Sequence, residues 1–92
     1  SKGGIIAMTL PAARECAQFG IRVMTIAPGL IDTPMMQGFT DEVREALIQT
    51  TLFPKRLGLP SEFASLVQHI IENPLLNGST IRLDGAVRLA PR

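Results

Sequence analysis

The residues with chemical potential are few and scattered through 92 positions. Lys2 places an ammonium near the first residue of the chain. Pro28-Gly29 is followed four residues later by Thr33-Pro34, with Ile31 between them. Glycine lets backbone approach a ligand closely, and threonine offers a hydroxyl beside its amide. Met35, Met36, Phe39, Leu47 and Phe53 could line a lid over an apolar ligand of variable length, or could pack a helix onto the body. Lys55-Arg56 could meet phosphates, or could be a solvated surface pair. His69 stands between Gln68 and Ile70 and reads as a helix-surface residue, not a catalytic base. Cys16 reads as a small core residue. No arrangement of His, Cys, Asp and Glu resembles a metal site.

These residues need elements to hold them. Ile5 to Phe19 carries two apolar stripes, Ile5-Met8-Ala12-Cys16 and Ile6-Leu10-Ala13-Ala17. The spacing predicts a helix that is apolar most of the way round, hence buried on more than one side. Pro11 opposes it by removing a backbone bond and crowding the preceding turn, so the helix either kinks or restarts there. Gly20 is placed to cap it. Ile21 to Ala27 is short, apolar and rich in β-branched residues, and reads as a buried strand ended by Pro28-Gly29. Residues 28–39 form a long connection. Thr40, followed by Asp41 and Glu42, caps a short amphipathic helix over about 41–50. Pro60 and Glu62 open a third helix along Phe63, Leu66, Val67, Ile70 and Ile71, which Asn73-Pro74 ends. Asn77-Gly78 makes a turn, Ser79 to Leu83 reads as a second strand, and Asp84-Gly85 opens a tail to Arg92.

Strands separated by helical crossovers imply a parallel sheet. Two strands alone do not make a stable one, and the first helix would have little to lie on. The chain therefore reads as an incomplete portion of a larger α/β protein. Composition narrows the class further. The chain is 46% hydrophobic, 18% charged and 4% aromatic, with a formal net charge of +1. A disordered chain would be less hydrophobic and more highly charged. A nucleic-acid module would carry a strong basic field. One cysteine forbids an intrachain disulfide. No apolar run approaches the roughly 18–20 residues that a membrane-spanning helix needs.

Read in order, these landmarks resemble the C-terminal third of a short-chain dehydrogenase/reductase. They are Lys2 opening the first helix, Ala27-Pro28-Gly29, Thr33-Pro34, Arg56-Leu57-Gly58-Leu59-Pro60-Ser61-Glu62, Asn77-Gly78 and Ile81-Arg82-Leu83-Asp84-Gly85. Ser1 to Gly4, Met8 to Pro11, Ile21 to Leu30, Phe53-Pro54, Ile70 to Pro74 and Leu76 to Gly78 are similar to the type II 3-hydroxyacyl-CoA dehydrogenase subgroup, which includes enzymes described as 17β-hydroxysteroid dehydrogenases. The resemblance implies an α/β fold, the C-terminal portion of a Rossmann-type, doubly wound, three-layer αβα sheet. It makes residues 1–92 part of a single domain, with a lid or substrate loop at about 30–59.

The resemblance also implies roles. NAD takes hydride from a secondary alcohol, and the family base is a tyrosine four residues before the lysine of a Tyr-x-x-x-Lys motif. If Lys2 is that lysine, the tyrosine, the catalytic serine and the glycine-rich phosphate loop all lie before Ser1, and the 92-residue chain alone should be inactive. Lys2 would be a catalytic and cofactor-binding residue, its ammonium favouring the phenolate and bonding the nicotinamide ribose hydroxyls. Pro28, Gly29, Ile31 and Thr33 would bind the cofactor at the end of a strand, Ile31 through backbone and Thr33 through hydroxyl and amide. The implied partners are an acyl-CoA or alcohol substrate and further copies in a homotetramer, with no nucleic acid and no membrane. A bacterial member would be cytoplasmic and an animal one mitochondrial. Two alternatives stand beside this reading. One is a carrier-protein reductase or a steroid or alcohol dehydrogenase of the same superfamily. The other is a non-catalytic association module built on the apolar first helix and last strand.

Overall fold

A computed structural model describes residues 2–87; the tail from 88 onward lies outside the described residues, as does the side chain of Lys2. The elements run α1 (Lys2–Cys16), a 3-10 turn (Ala17–Phe19), β1 (Thr25–Pro28), α2 (Pro34–Gln37), α3 (Asp41–Ile48), α4 (Pro60–Glu72) and β2 (Thr80–Leu83). β1 and β2 pair directly. The amide of Thr25 donates to the Ser79 carbonyl at 3.1 Å and that of Gly29 to the Leu83 carbonyl at 2.9 Å. Both partners advance by the same four residues, so the strands are parallel. The chain is thus mixed α/β with a two-stranded parallel sheet, as the alternation of elements predicts.

The chain divides into two compact units, Ser1–Ala27 with Leu66–Arg82, and Pro28–Ser65 with Leu83–Arg92. In the first unit, α1 runs through Pro11 without restarting, then tightens to 3-10 geometry and stops at Gly20, whose φ of 71° only glycine adopts at no steric cost. Thr9 is buried and ties α1 to β1. Its hydroxyl lies 2.5 Å from that of Thr25 and donates to the Ile5 carbonyl at 3.0 Å. β1 is shorter than its composition suggests, because Val23, two residues before its start, bonds to a turn and not to a strand. The Val23 amide donates to the Asn77 side-chain oxygen at 3.0 Å, and the Gly78 amide donates to the Val23 carbonyl at 2.8 Å.

The same unit holds a contact that no motif announces. The guanidinium of Arg22 donates to the carbonyls of Ile70 (2.8 Å), Leu76 (3.0 Å), Ile71 (3.1 Å) and Asn73 (3.3 Å). A helix leaves its last carbonyls without internal partners and with partial negative charge, and a cation there answers both needs.

In the second unit, the long connection is anchored at its base. Ile31 and Gly58 form an isolated parallel bridge. The Gly58 amide donates to the Leu30 carbonyl and the Asp32 amide to the Gly58 carbonyl, both at 2.8 Å. Between those ends, Thr40 caps α3 by accepting from the Val43 amide at 3.2 Å. Among the described residues, Ala13 and Leu57 are the buried apolar side chains. Ile5, Ile6, Met8, Leu10 and Phe19 on or after α1 are exposed, although the apolar stripes of α1 are of a kind normally covered.

Candidate functional site

Pro28, Gly29, Ile31 and Thr33 all fall in the second unit, at and just beyond the carboxyl end of β1. Lys2 falls in the first unit, as the first residue of α1. The bridge to Gly58 settles how Ile31 is presented. It occupies the Leu30 carbonyl and the Asp32 amide, and peptide groups alternate in direction along extended chain. The amide and carbonyl of Ile31 therefore point away from Gly58, and neither has a hydrogen-bond partner among the described residues. One donor and one acceptor side by side on extended backbone match a primary carboxamide, which offers the complementary pair.

Two residues on, Thr33 has extended backbone (φ −118°, ψ 167°) and serves as the N-cap of α2, accepting from the Met36 amide at 3.5 Å. Its hydroxyl proton stays free to donate. Pro34 at the first helical position completes a standard helix start. The four-residue α2 is absent from the expected elements, yet Thr33-Pro34 is its signal: a capping hydroxyl followed by a preset φ.

Gly29 needs its missing side chain for a different reason from the expected one. A Cβ there would lie 2.6 Å from the Cβ and 2.8 Å from the Cα of Asp84. The close approach is to the protein's own backbone after β2. A small pocket of about 120 Å³ nearby has Leu30, Ile31, Thr51, Pro54, Gly58 and Leu83 among its walls. Ile31 is the one proposed cofactor-binding residue that reaches it.

The two cations of residues 55 and 56 are engaged by their own unit. The Lys55 ammonium donates to the carbonyls of Thr51 (2.8 Å) and Gln49 (3.2 Å), just past the end of α3. Arg56 grips Glu62 by two parallel bonds of 2.8 and 3.0 Å, and also donates to the Leu57 carbonyl. Glu62 accepts as well from the amide of Leu59, the residue before α4, at 2.8 Å. The arrangement is the carboxylate half of a capping box. The Arg56 bonds first, then the Leu59 amide, hold the Glu62 carboxyl down at about 2. Both cations thus favour the structural alternative over phosphate binding.

Of the apolar lid candidates, Met35 and Phe53 are 80% and 83% exposed, Phe39 is exposed, and Met36 and Leu47 are half-buried. His69 is exposed on α4 and Cys16 half-buried on α1. Among the described residues no group of His, Cys, Asp and Glu could hold a metal ion, and no helix is long and apolar enough to cross a membrane.

Residues 1–87 match the family profile described as enoyl-(acyl carrier protein) reductase. The chain belongs to the short-chain dehydrogenase/reductase family. Its relatives in this family include the rat 3-hydroxyacyl-CoA dehydrogenase type-2, 59% identical over 99% of this chain and 35% of that protein. The crystal structure of 3-hydroxyacyl-CoA dehydrogenase type-2 from Mycobacterium avium superposes with a TM-score of 0.92 at 44% identity, over 99% of this chain and 35% of the other. That of 3-oxoacyl-[acyl-carrier protein] reductase from Brucella melitensis gives 0.84 at 35% identity, over 97% and 34%. The chain spans about a third of the length of these relatives. Dehydrogenases and reductases of this family imply a nicotinamide cofactor and a small-molecule substrate.

Proposed function

We propose that this chain is the C-terminal third of an NAD-dependent enzyme that interconverts a 3-hydroxyacyl-CoA and a 3-oxoacyl-CoA. The observation that carries the reading is the edge of extended backbone at Ile31, its amide and carbonyl unpaired among the described residues, beside the capping hydroxyl of Thr33. The similarity to two 3-hydroxyacyl-CoA dehydrogenases over nearly the whole chain supports the substrate.

NAD bound there supplies the hydride acceptor for the substrate's secondary alcohol. The work of this chain is positioning. Ile31 would hold the carboxamide of the nicotinamide through its amide and carbonyl, with the Thr33 hydroxyl beside them. Held so, the ring would be oriented toward the substrate, and a reaction between two bound partners gains most from such orientation. Lys2 contributes charge. An ammonium near a tyrosine hydroxyl stabilises the phenolate and brings a base of ordinary pKa about 10 nearer to neutrality. The reading extends to a homotetramer working in the cytoplasm or the mitochondrion, away from membranes.

The test uses the full-length protein. NADH and NADPH are titrated separately, and reduction of a short 3-oxoacyl-CoA is followed by loss of NADH absorbance. Turnover with NADH is expected. Thr33→Ala should weaken NADH binding about tenfold, the equivalent of one good hydrogen bond. Turnover with NADPH alone, on carrier-protein thioesters, would overturn the reading in favour of a carrier-protein reductase.

A further inference from the structure

Asp32 lies between the two residues that we assign to the nicotinamide, and its side chain faces the lid helix. Its Oδ1 is 3.8 Å from a terminal guanidinium nitrogen of Arg44 on α3, and each side chain is about two-thirds buried. The pair is loose. Oδ1 of Asp32 and Nε of Arg44 are both fully shielded from solvent, and neither has a hydrogen-bond partner among the described residues. A buried, unpaired polar atom is costly, and a native structure keeps few of them. Here the two belong to the two members of one ion pair. At 3.8 Å the contact is an ion pair without the two parallel bonds that Arg56 makes with Glu62.

The position of the pair shows what it would control. Asp32 and Arg44 bracket residues 33–43, which hold the Thr33 cap, α2, the exposed Met35 and Phe39, and the first turn of α3. One end of this segment is pinned independently, because the Asp32 amide bonds Gly58. The other end is tied back to Asp32 by Arg44.

We propose that Asp32 and Arg44 form a clasp that sets the position of segment 33–43, and with it the place of Met35 and Phe39 beside the acyl chain of the substrate, while Thr33 holds the cofactor. The inference rests on the nicotinamide reading of Ile31 and Thr33. Asp32 and Arg44 are positioning residues; neither touches a reacting atom.

The experiment is a double-mutant cycle in the full-length enzyme with Asp32→Asn, Arg44→Gln and both together, measuring KM for a 3-oxoacyl-CoA, kcat, and NADH binding. Each single variant should raise KM about fivefold while kcat stays within about twofold, the scale of one partly buried ion pair. The double variant should be no worse than either single, and Arg44→Lys should recover most of the loss. Digestion by a protease that cuts after exposed Met or Phe should be faster in the single variants, with new cuts inside 33–43. Additive effects in the cycle, or unchanged KM in both single variants, would overturn the clasp. Thr33→Ala separates this from the parent reading. If it weakens NADH binding and the cycle shows no coupling, the clasp alone fails. If it leaves NADH binding unchanged, the nicotinamide assignment fails and the clasp falls with it.

Discussion

Arg22 in the first unit and Arg44 in the second are used in opposite ways. In the first, Arg22 reaches four carbonyls around the end of α4. In the second, Arg44 lies 3.8 Å from Asp32 with its Nε unpaired. The first unit is built from a 15-residue helix, strand segments and the last turns of α4, and its Arg22 closes onto backbone carbonyls. The second is largely connection, pinned at Ile31 and Gly58, and it holds both the closed pair of Arg56 with Glu62 and, on Asp32 and Arg44, two shielded polar atoms without a hydrogen-bond partner among the described residues. Loops on a rigid frame carry most binding contacts, and incomplete polar contacts there leave room for a ligand.

The comparison can be broken by mutation in the full-length protein. The largest effect is expected at Arg22→Ala, which strips the end of α4 of its cation and should lower stability by about 3 kcal/mol in denaturant unfolding. A loss below about 1 kcal/mol would show that water replaces the guanidinium and that the first unit is no better satisfied than the second. Gly29→Ala comes next. Its Cβ would meet the backbone of Asp84, so stability should fall by about 2 kcal/mol. Unchanged stability would mean that the second unit yields easily even where its backbone is close-packed. Thr9→Val removes the hydroxyl that joins α1 to β1 and leaves Thr25 short of a partner, at a cost of about 1 kcal/mol.

The smallest effect sharpens the comparison by pH. The Glu62 carboxyl is lowered from 4.5 to about 2 by Arg56 and the Leu59 amide. A depressed carboxyl stabilises the fold above its unfolded pKa, and that contribution disappears as pH falls through the folded one. The stability gap between the native protein and Glu62→Gln should be constant above about pH 5 and should close between pH 4.5 and 2. The side chain is exposed, so the gap should be modest and should shrink in high salt.

Helix ends were the most legible part of the sequence. Gly20, Thr40, Pro60 with Glu62, and Asn73-Pro74 each mark a boundary within about two residues of where it falls, because caps act through neighbours along the chain. Composition makes strand β1 too long at its start, since what pairs with Val23 is a turn 50-odd residues away and not another strand. Of the kink and the restart that Pro11 suggests, the restart does not occur, since α1 is continuous through it. Lys55 and Arg56 were visible as charges, but their partners, the end of α3 and Glu62, were not. Among the proposed cofactor residues, Thr33 could be picked out by its place beside Pro34, whereas the free edge of Ile31 required knowing that Gly58 takes the other edge.

By itself the sequence determined the order of the elements other than α2, most of their caps, the parallel α/β class and the family, all of which follow from residues close in the chain or from ordered motifs. Tertiary structure decided which polar groups are satisfied. Arg22 meets carbonyls 48 to 54 residues away, and Asp32 faces an arginine across a turn of chain. Periodicity and propensity are local, while hydrogen-bond completion depends on where distant backbone is brought to rest, so the difference between a finished scaffold and an unfinished site appears only once the chain has folded.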